Sequence, residues 1–212
     1  MKKRIVCFGD SNTWGYKAST TERFDDYERW TGVMQTELGD KYAVIEEGLN
    51  GRTTVWDDPI ELHKNGYKQL FPIMESQKPF DLIIIMLGTN DLKRRFNVSA
   101  RDIAQGAALL TKEAMRSGCG HNGQNPKVLF AAPIELGAGI MTGRLAELFE
   151  PDSVSRSQQF AYWYGEFARE IGCDFINAAE FAKPDPDDFI HISLDGHKAL
   201  GAAMAEKVKN LV

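Results

Sequence analysis

The chain is poor in cysteine. Only Cys7, Cys119 and Cys173 occur in 212 residues, they are widely spaced, and no Cys-x-x-Cys pair exists. Neither a zinc site nor a disulfide framework is supported, and a reducing cytoplasm is the expected compartment. Long hydrophobic runs are also missing. The longest, Leu82 to Leu87, has six residues, whereas a membrane span needs about 20. The N-terminal Met1-Lys2-Lys3-Arg4 leads into Ile5-Val6-Cys7-Phe8 and then at once into Gly9, an apolar stretch too short for a signal peptide. There is no excess of positive charge. Lys and Arg number 25 against 30 Asp and Glu, a net charge of −5, which argues against a nucleic-acid binder with its basic stripe. Several chemical signatures are absent as well: the Gly-Lys-Ser/Thr of a P-loop, GxSxG, HExxH and SxxK, and the first strand does not run into a GxGxxG turn.

What is present is ordinary for a soluble globular protein, at 43% hydrophobic and 26% charged residues. At about 150 residues per domain, a single domain over residues 1–212 is expected. No linker, repeat or low-complexity segment interrupts it. Apolar runs alternate with helical patterns. The runs are Arg4–Phe8, Tyr42–Ile45, Asp81–Leu87, Lys127–Ala132 and a weak Cys173–Ile176. Each is continuous rather than alternating, as expected of strands covered on both faces. Helices are predicted over Glu28–Leu38, after Ser99 as N-cap up to Gly118, over Val154–Ile171 and, capped by Ser193, over Leu194–Val212. Asp58–Gln77 is ambiguous because Gly66 and Pro72 interrupt it. This order predicts an α/β fold, a three-layer α/β/α sandwich on a five-stranded parallel sheet.

Such folds place their chemistry in loops after the strand C-termini. The first strand ends in Gly9-Asp10-Ser11-Asn12-Thr13-Trp14-Gly15. Ser11 would stand at a strand-to-helix turn beside unpaired amides, although a plain helix cap explains it as well. Gly51 follows the second strand, where it could bring a backbone N–H close to a ligand or simply turn the chain. Asn90, in Gly88-Thr89-Asn90-Asp91, offers two uncharged N–H donors suited to a developing oxyanion; an Asn/Asp turn is the bland alternative. Asp188 and His191, three apart, can set a carboxylate against Nδ1 and leave Nε2 free to take a proton. His197 fits packing or polar surface, and His63 and His121 fit solvated positions. A metal site from His191, His197 and an Asp matches no usual ligand spacing, so neither metal nor cofactor is expected.

Ser, Gly, Asn and Asp-x-x-His, in this chain order and on one sheet edge, resemble the SGNH hydrolases, also called the GDSL esterases. The resemblance runs from Arg4 to Val212. Arg29-Trp-Thr-Gly-Val33, Val44 to Thr54 and Leu82 to Asp91 look like the bacterial arylesterase branch, which includes acyltransferases that also make peracids (perhydrolases). It implies the flavodoxin-like SGNH hydrolase fold and hydrolysis of short-chain aryl or alkyl esters through an acyl-enzyme. Ser11 would be nucleophile, His191 base and Asp188 its orienting acid. Ser11 and Gly51 amides with the Asn90 side chain would form the oxyanion hole. Asp10, Asn12, Trp14, Tyr16, Lys93, Phe96 and Ile190 are expected around the substrate. Two residues depart from the pattern. Asn12 replaces the Leu of the family's nickname, with an expected effect on the pocket floor. Tyr16 stands where acyltransferase members are expected to carry Trp, which bears on acyl transfer and perhydrolysis in water. The branch also implies a homo-oligomer, and Leu136–Phe160 could cover the site or form a subunit contact. A carbohydrate O-acetyl esterase of the same fold is the alternative substrate reading. A flavodoxin-like phosphate or nucleotide binder and a non-catalytic binding protein are the rivals, and neither gives Asp188 and His191 a role.

Overall fold

The computed structural model describes residues 1–212. Strands β1 (Lys3–Gly9), β2 (Tyr42–Gly48), β3 (Leu82–Met86), β4 (Lys127–Ala132) and β5 (Asp174–Asn177) form one sheet in the order β2-β1-β3-β4-β5. Every neighbouring pair is parallel. The continuous apolar runs follow from this layering, because successive side chains leave the sheet on opposite faces and both faces are covered. On one face Ile5, Cys7, Leu82 and Ile84 pack beneath α2 (Trp30–Leu38) and α7 (Leu194–Leu211), meeting Trp30, Met34, Leu200 and Met204. On the other, Val6, Phe8, Ile83 and Ile85 meet Leu70 and Met74 of α3 (Gly66–Gln77) and Leu110 of α4 (Ala100–Met115). Phe130 and Ala132 extend that face under α4 and α6 (Phe160–Ile171), against Ile103, Phe160 and Tyr164. The expected three-layer α/β fold is thus observed.

Local sequence explains most boundaries. Ser99 accepts the Asp102 N–H at 3.1 Å and starts α4, and Ser193 likewise caps α7 by accepting from Gly196 N–H. Two expectations need correction. Val154–Ile171 is not one helix but two, α5 (Ser153–Gln158) and α6, parted at Gln159. Each has its own partners. Ser153 and Ser157 of α5 bond the backbone of Leu92 and Leu136, whereas α6 turns Phe160, Tyr164 and Phe167 into the core. Within Asp58–Gln77, the helix begins only at Gly66, capped by Asn65, and continues through Pro72. No helix is long and apolar enough to cross a membrane.

Strand order reverses between β1 and β3, since β2 lies on one side of β1 and β3 on the other. A crevice at the strand C-termini forms at such a switch point. The segments after β1, β2 and β3 therefore converge there.

Candidate active site

β1 ends at Gly9, and Asp10 caps a single helical turn, α1 (Ser11–Trp14), by accepting the Asn12 N–H at 2.9 Å. Ser11 is the first residue of that turn. The turn lies so close to the end of β2 that a Cβ on Gly48 would fall 2.3 Å from the Trp14 nitrogen. The segment before α7 brings His191 Nε2 to 2.9 Å from Ser11 Oγ. His191 Nδ1 stands 2.5 Å from Asp188 Oδ2. The other carboxylate oxygen, Oδ1, accepts the N–H groups of Ile190 and His191 at 3.0 and 2.9 Å. Burial alone would raise the Asp188 pKa. The ring and backbone donors from His191 and Ile190 outweigh it and hold the carboxyl below its usual range. Phe189, between acid and base, has φ of 62°, a left-handed conformation uncommon for a bulky residue. Its ring is packed against Gly137 and Gly139, so the strain is held by the loop that follows β4.

Asn90 follows β3. Its amide donates to the Arg52 carbonyl at 3.1 Å and lies 3.4 Å from Asp10 Oδ2. Gly51 has φ of 82°, and its N–H reaches no protein acceptor among the loop hydrogen bonds. Ser11, Gly51, Asn90 and His191 together line one pocket of about 240 Å³. Two buried carboxyls stand behind it. Burial raises Asp10 to about 6 and Asp91 to about 7. Asp91 accepts from Thr54 N–H at 3.0 Å and from its hydroxyl at 2.5 Å, fixing the β2 loop to the β3 loop. Arg52 spans the same region, donating to the Gly9 carbonyl at 2.7 Å with its guanidinium 4.2 Å from the Phe8 ring centre.

The pocket wall differs in part from the expectation. Tyr16, Lys93 and Ile190 line it as expected. Asp10, Asn12, Trp14 and Phe96 do not. Asp10 is committed to Asn12 N–H, and Asn12 turns its side-chain oxygen to Ile192 N–H at 2.8 Å rather than to the pocket floor. Trp14 lies under the Arg23 guanidinium, and Phe96 under that of Arg95. Sequence proximity to the motif misassigned these four, because neighbours along a turn point in different directions. In their place the pocket takes Asn50, Glu61 and Lys64 from the region between β2 and α3, and Leu145, Leu148 and Phe149 from the loop after β4. That loop thus borders the site. Phe160, by contrast, is core. Lys93 donates to Glu61 at 2.6 Å, and Arg95 bridges Glu61 to Asp58, both at 2.5 Å. Arg144 donates to the Tyr16 hydroxyl at 3.2 Å and stands 3.7 Å from Asp188 Oδ2, while the Tyr16 ring lies 4.2 Å from the His191 ring, centre to centre.

The other histidines lie apart from the Ser11 pocket. His121 stands 3.5 Å from Asp81, and His63 is exposed. His197 takes the packing role of the two expected for it: it is fully buried, and its Nδ1 accepts the Trp30 N–H at 3.1 Å, capping α2 from α7. Burial, with the neighbouring positive groups, lowers His197 to about 3, so it stays neutral. A larger depression of about 430 Å³ beside Arg29 and Glu46 is lined by no serine, cysteine or histidine. No group of three or more His, Cys, Asp or Glu side chains is placed to hold a metal ion.

Residues 7–199 match the GDSL-like lipase/acylhydrolase family. The chain belongs to that family. It is 38% identical to the native aryl esterase of M. smegmatis, over 99% of this chain and 100% of that one, with a TM-score of 0.93. It is also 38% identical to Est24, a carbohydrate acetylesterase from Sinorhizobium meliloti, over the whole of both chains, with a TM-score of 0.92. A lipase/acylhydrolase from Enterococcus faecalis, at 19% identity and a TM-score of 0.69 over 98% of this chain and 96% of that one, shares the fold. A comparison with curated proteins finds no match. Family membership together with these neighbours makes the chain an ester hydrolase of the SGNH fold.

Proposed function

We propose that this GDSL hydrolase is a serine esterase that cleaves short-chain carboxylic esters through an acyl-enzyme. The observation that carries this reading is the buried relay Ser11–His191–Asp188, with contacts of 2.9 and 2.5 Å, opening into a small pocket. Ser11 Oγ attacks the ester carbonyl while His191 Nε2 takes its proton. Nδ1–H donates to Asp188, which holds the ring in the required tautomer. The tetrahedral oxyanion is held by the Ser11 and Gly51 N–H groups and the Asn90 amide. His191 then passes its proton to the leaving alcohol, and water attacks the acyl-Ser11 by the reverse route. A pocket of about 240 Å³ closed by Leu145, Leu148 and Phe149 supports a short acyl chain. The test is covalent labelling with a fluorophosphonate: one adduct on Ser11 is expected, together with turnover of p-nitrophenyl acetate that His191→Ala abolishes. No adduct on Ser11 would overturn the reading.

A second reading concerns the alcohol. Asn50, Glu61, Lys64 and Lys93 add polar groups to the pocket wall, which supports an acetylated saccharide as substrate, and a neighbour at 38% identity is a carbohydrate acetylesterase. Hydrolysis of acetylated xylose or glucose faster than that of phenyl acetate would select this reading. Acyl transfer to alcohols or peroxide is proposed as a side activity only. Three free thiols support a reducing, cytoplasmic setting, and exposed Ile60, Leu62 and Phe71 support self-association. A monomeric mass in light scattering would refute the latter.

A further inference from the structure

We infer that Asn12 is a positioning residue that keeps the His191 loop in register with Ser11 while Ser11 carries the acyl group. The inference rests on the acyl-enzyme reading above. Two hydrogen bonds cross directly from the α1 turn to the loop that carries Asp188 and His191. One is Ser11 to His191 at 2.9 Å, and the other is Ile192 N–H to Asn12 Oδ1 at 2.8 Å. They lie side by side, because Asn12 follows Ser11 in the chain and Ile192 follows His191.

The first of these bonds cannot last through the cycle. When Ser11 Oγ becomes an ester oxygen it loses the proton it gave to Nε2. At that stage His191 must hold its place without the serine and activate a water instead. The Asn12–Ile192 bond involves no reacting atom and persists in the acyl-enzyme. It is well suited to the task. Asn12 is 2% exposed. Its N–H is bound by Asp10 at 2.9 Å, and its carbonyl accepts the Trp30 indole N–H at 3.0 Å. The side chain therefore projects from a fixed base at the foot of α2. Only the amide oxygen can accept from Ile192 N–H, which leaves the buried Asn12 Nδ2 without a partner. A buried donor left unpaired is a cost that an apolar residue would avoid. The acceptor is what the site gains in return. The remaining links across this gap are of another kind: the Tyr16 ring lies tilted against the His191 ring, and exposed Arg144 joins Tyr16 to Asp188.

The inference separates the two halves of the reaction. Acylation begins with both bonds in place, whereas in deacylation only the Asn12 bond of the two remains. In Asn12→Leu, acetyl-Ser11 followed by rapid-quench mass spectrometry is expected to live about tenfold longer, a loss in the range that misplacing a catalytic group produces. Fluorophosphonate labelling of Ser11 should stay within about threefold of wild type, and steady-state kcat and KM should fall together. Labelling stoichiometry and thermal melting count the folded fraction. Asn12→Asp, which keeps an oxygen facing Ile192 N–H, is expected to restore most of the deacylation rate. An unchanged acetyl-Ser11 lifetime in Asn12→Leu would overturn the inference, as would labelling slowed as much as deacylation, or an Asn12→Asp protein as slow as Asn12→Leu. Failure of wild-type Ser11 to label would instead overturn the acyl-enzyme reading itself.

Discussion

The two sides of the crevice are built differently. On the side that carries Ser11, Asn90, Asp188 and His191, all four residues are buried and each is fixed by a bond to its own turn or to a neighbouring loop. On the other side, the wall comes from Glu61, Lys64, Leu145, Leu148 and Phe149, on irregular segments after β2 and β4. Glu61 and Arg144 there are more than a third exposed at their side chains. The contrast separates bond-making from selection. In the proposed mechanism the chemistry needs sub-ångström positioning and draws on the turns after β1 and β3 and on the hydrogen-bonded turn before α7, while the acyl and alcohol groups would be met by loops that can vary without disturbing it.

Substitutions can break this comparison at graded cost. Ser11→Ala is expected to have the largest effect, removing on the order of 10⁴-fold or more of kcat on p-nitrophenyl acetate while leaving thermal melting nearly unchanged. Asn90→Ala should lose about 10²–10³-fold in kcat, roughly 3 kcal/mol of transition-state stabilisation, with KM little altered. Phe149→Ala on the selective wall should act differently. It should widen the pocket and raise kcat/KM for a hexanoyl relative to an acetyl ester by about tenfold, within the 1–3 kcal/mol that pocket methylenes supply. A chain-length series measures this, and an unchanged preference would separate Phe149 from acyl selection.

The smallest effect lies behind the pocket. The Asp91 carboxyl is raised to about 7 by burial, so between about pH 4 and pH 7 the folded chain keeps a proton that the unfolded chain releases. The sign is therefore opposite to that of a salt-bridged carboxylate: this group's contribution to stability falls as pH rises through that window. Asp188, held below its usual range, works the other way and loses its contribution as pH falls below that range. Asp91→Asn keeps an oxygen for Thr54 but cannot ionise. Its melting temperature should fall less between pH 5 and pH 8 than that of the wild type. A steeper fall would show that Asp91 is not the titrating group.

Much of this was legible in the sequence for a physical reason. Ser11, Gly51 and Asn90 each follow a strand within a few residues, so recognising the strand places the residue at the crevice. Asp188 and His191 meet because they are three apart on one turn. The apolar runs announced the sheet because its central strands, buried on both faces, leave few polar positions. The four pocket residues assigned wrongly, Asp10, Asn12, Trp14 and Phe96, were also close in sequence to the motif, but proximity along a turn does not fix direction. His197 lies six residues past His191, yet it serves as a buried cap for a helix near the opposite end of the chain.

The sequence by itself determined the strand-end chemistry, because backbone periodicity and local turns bring those groups to one edge. Only the tertiary structure decided which loops wall the pocket, that the His191 loop is tied to Asn12, and that Asp91 is held against Thr54. Those contacts join segments separated by 37 to 180 residues, and they depend on how helices and loops pack on the finished sheet, which no local pattern encodes.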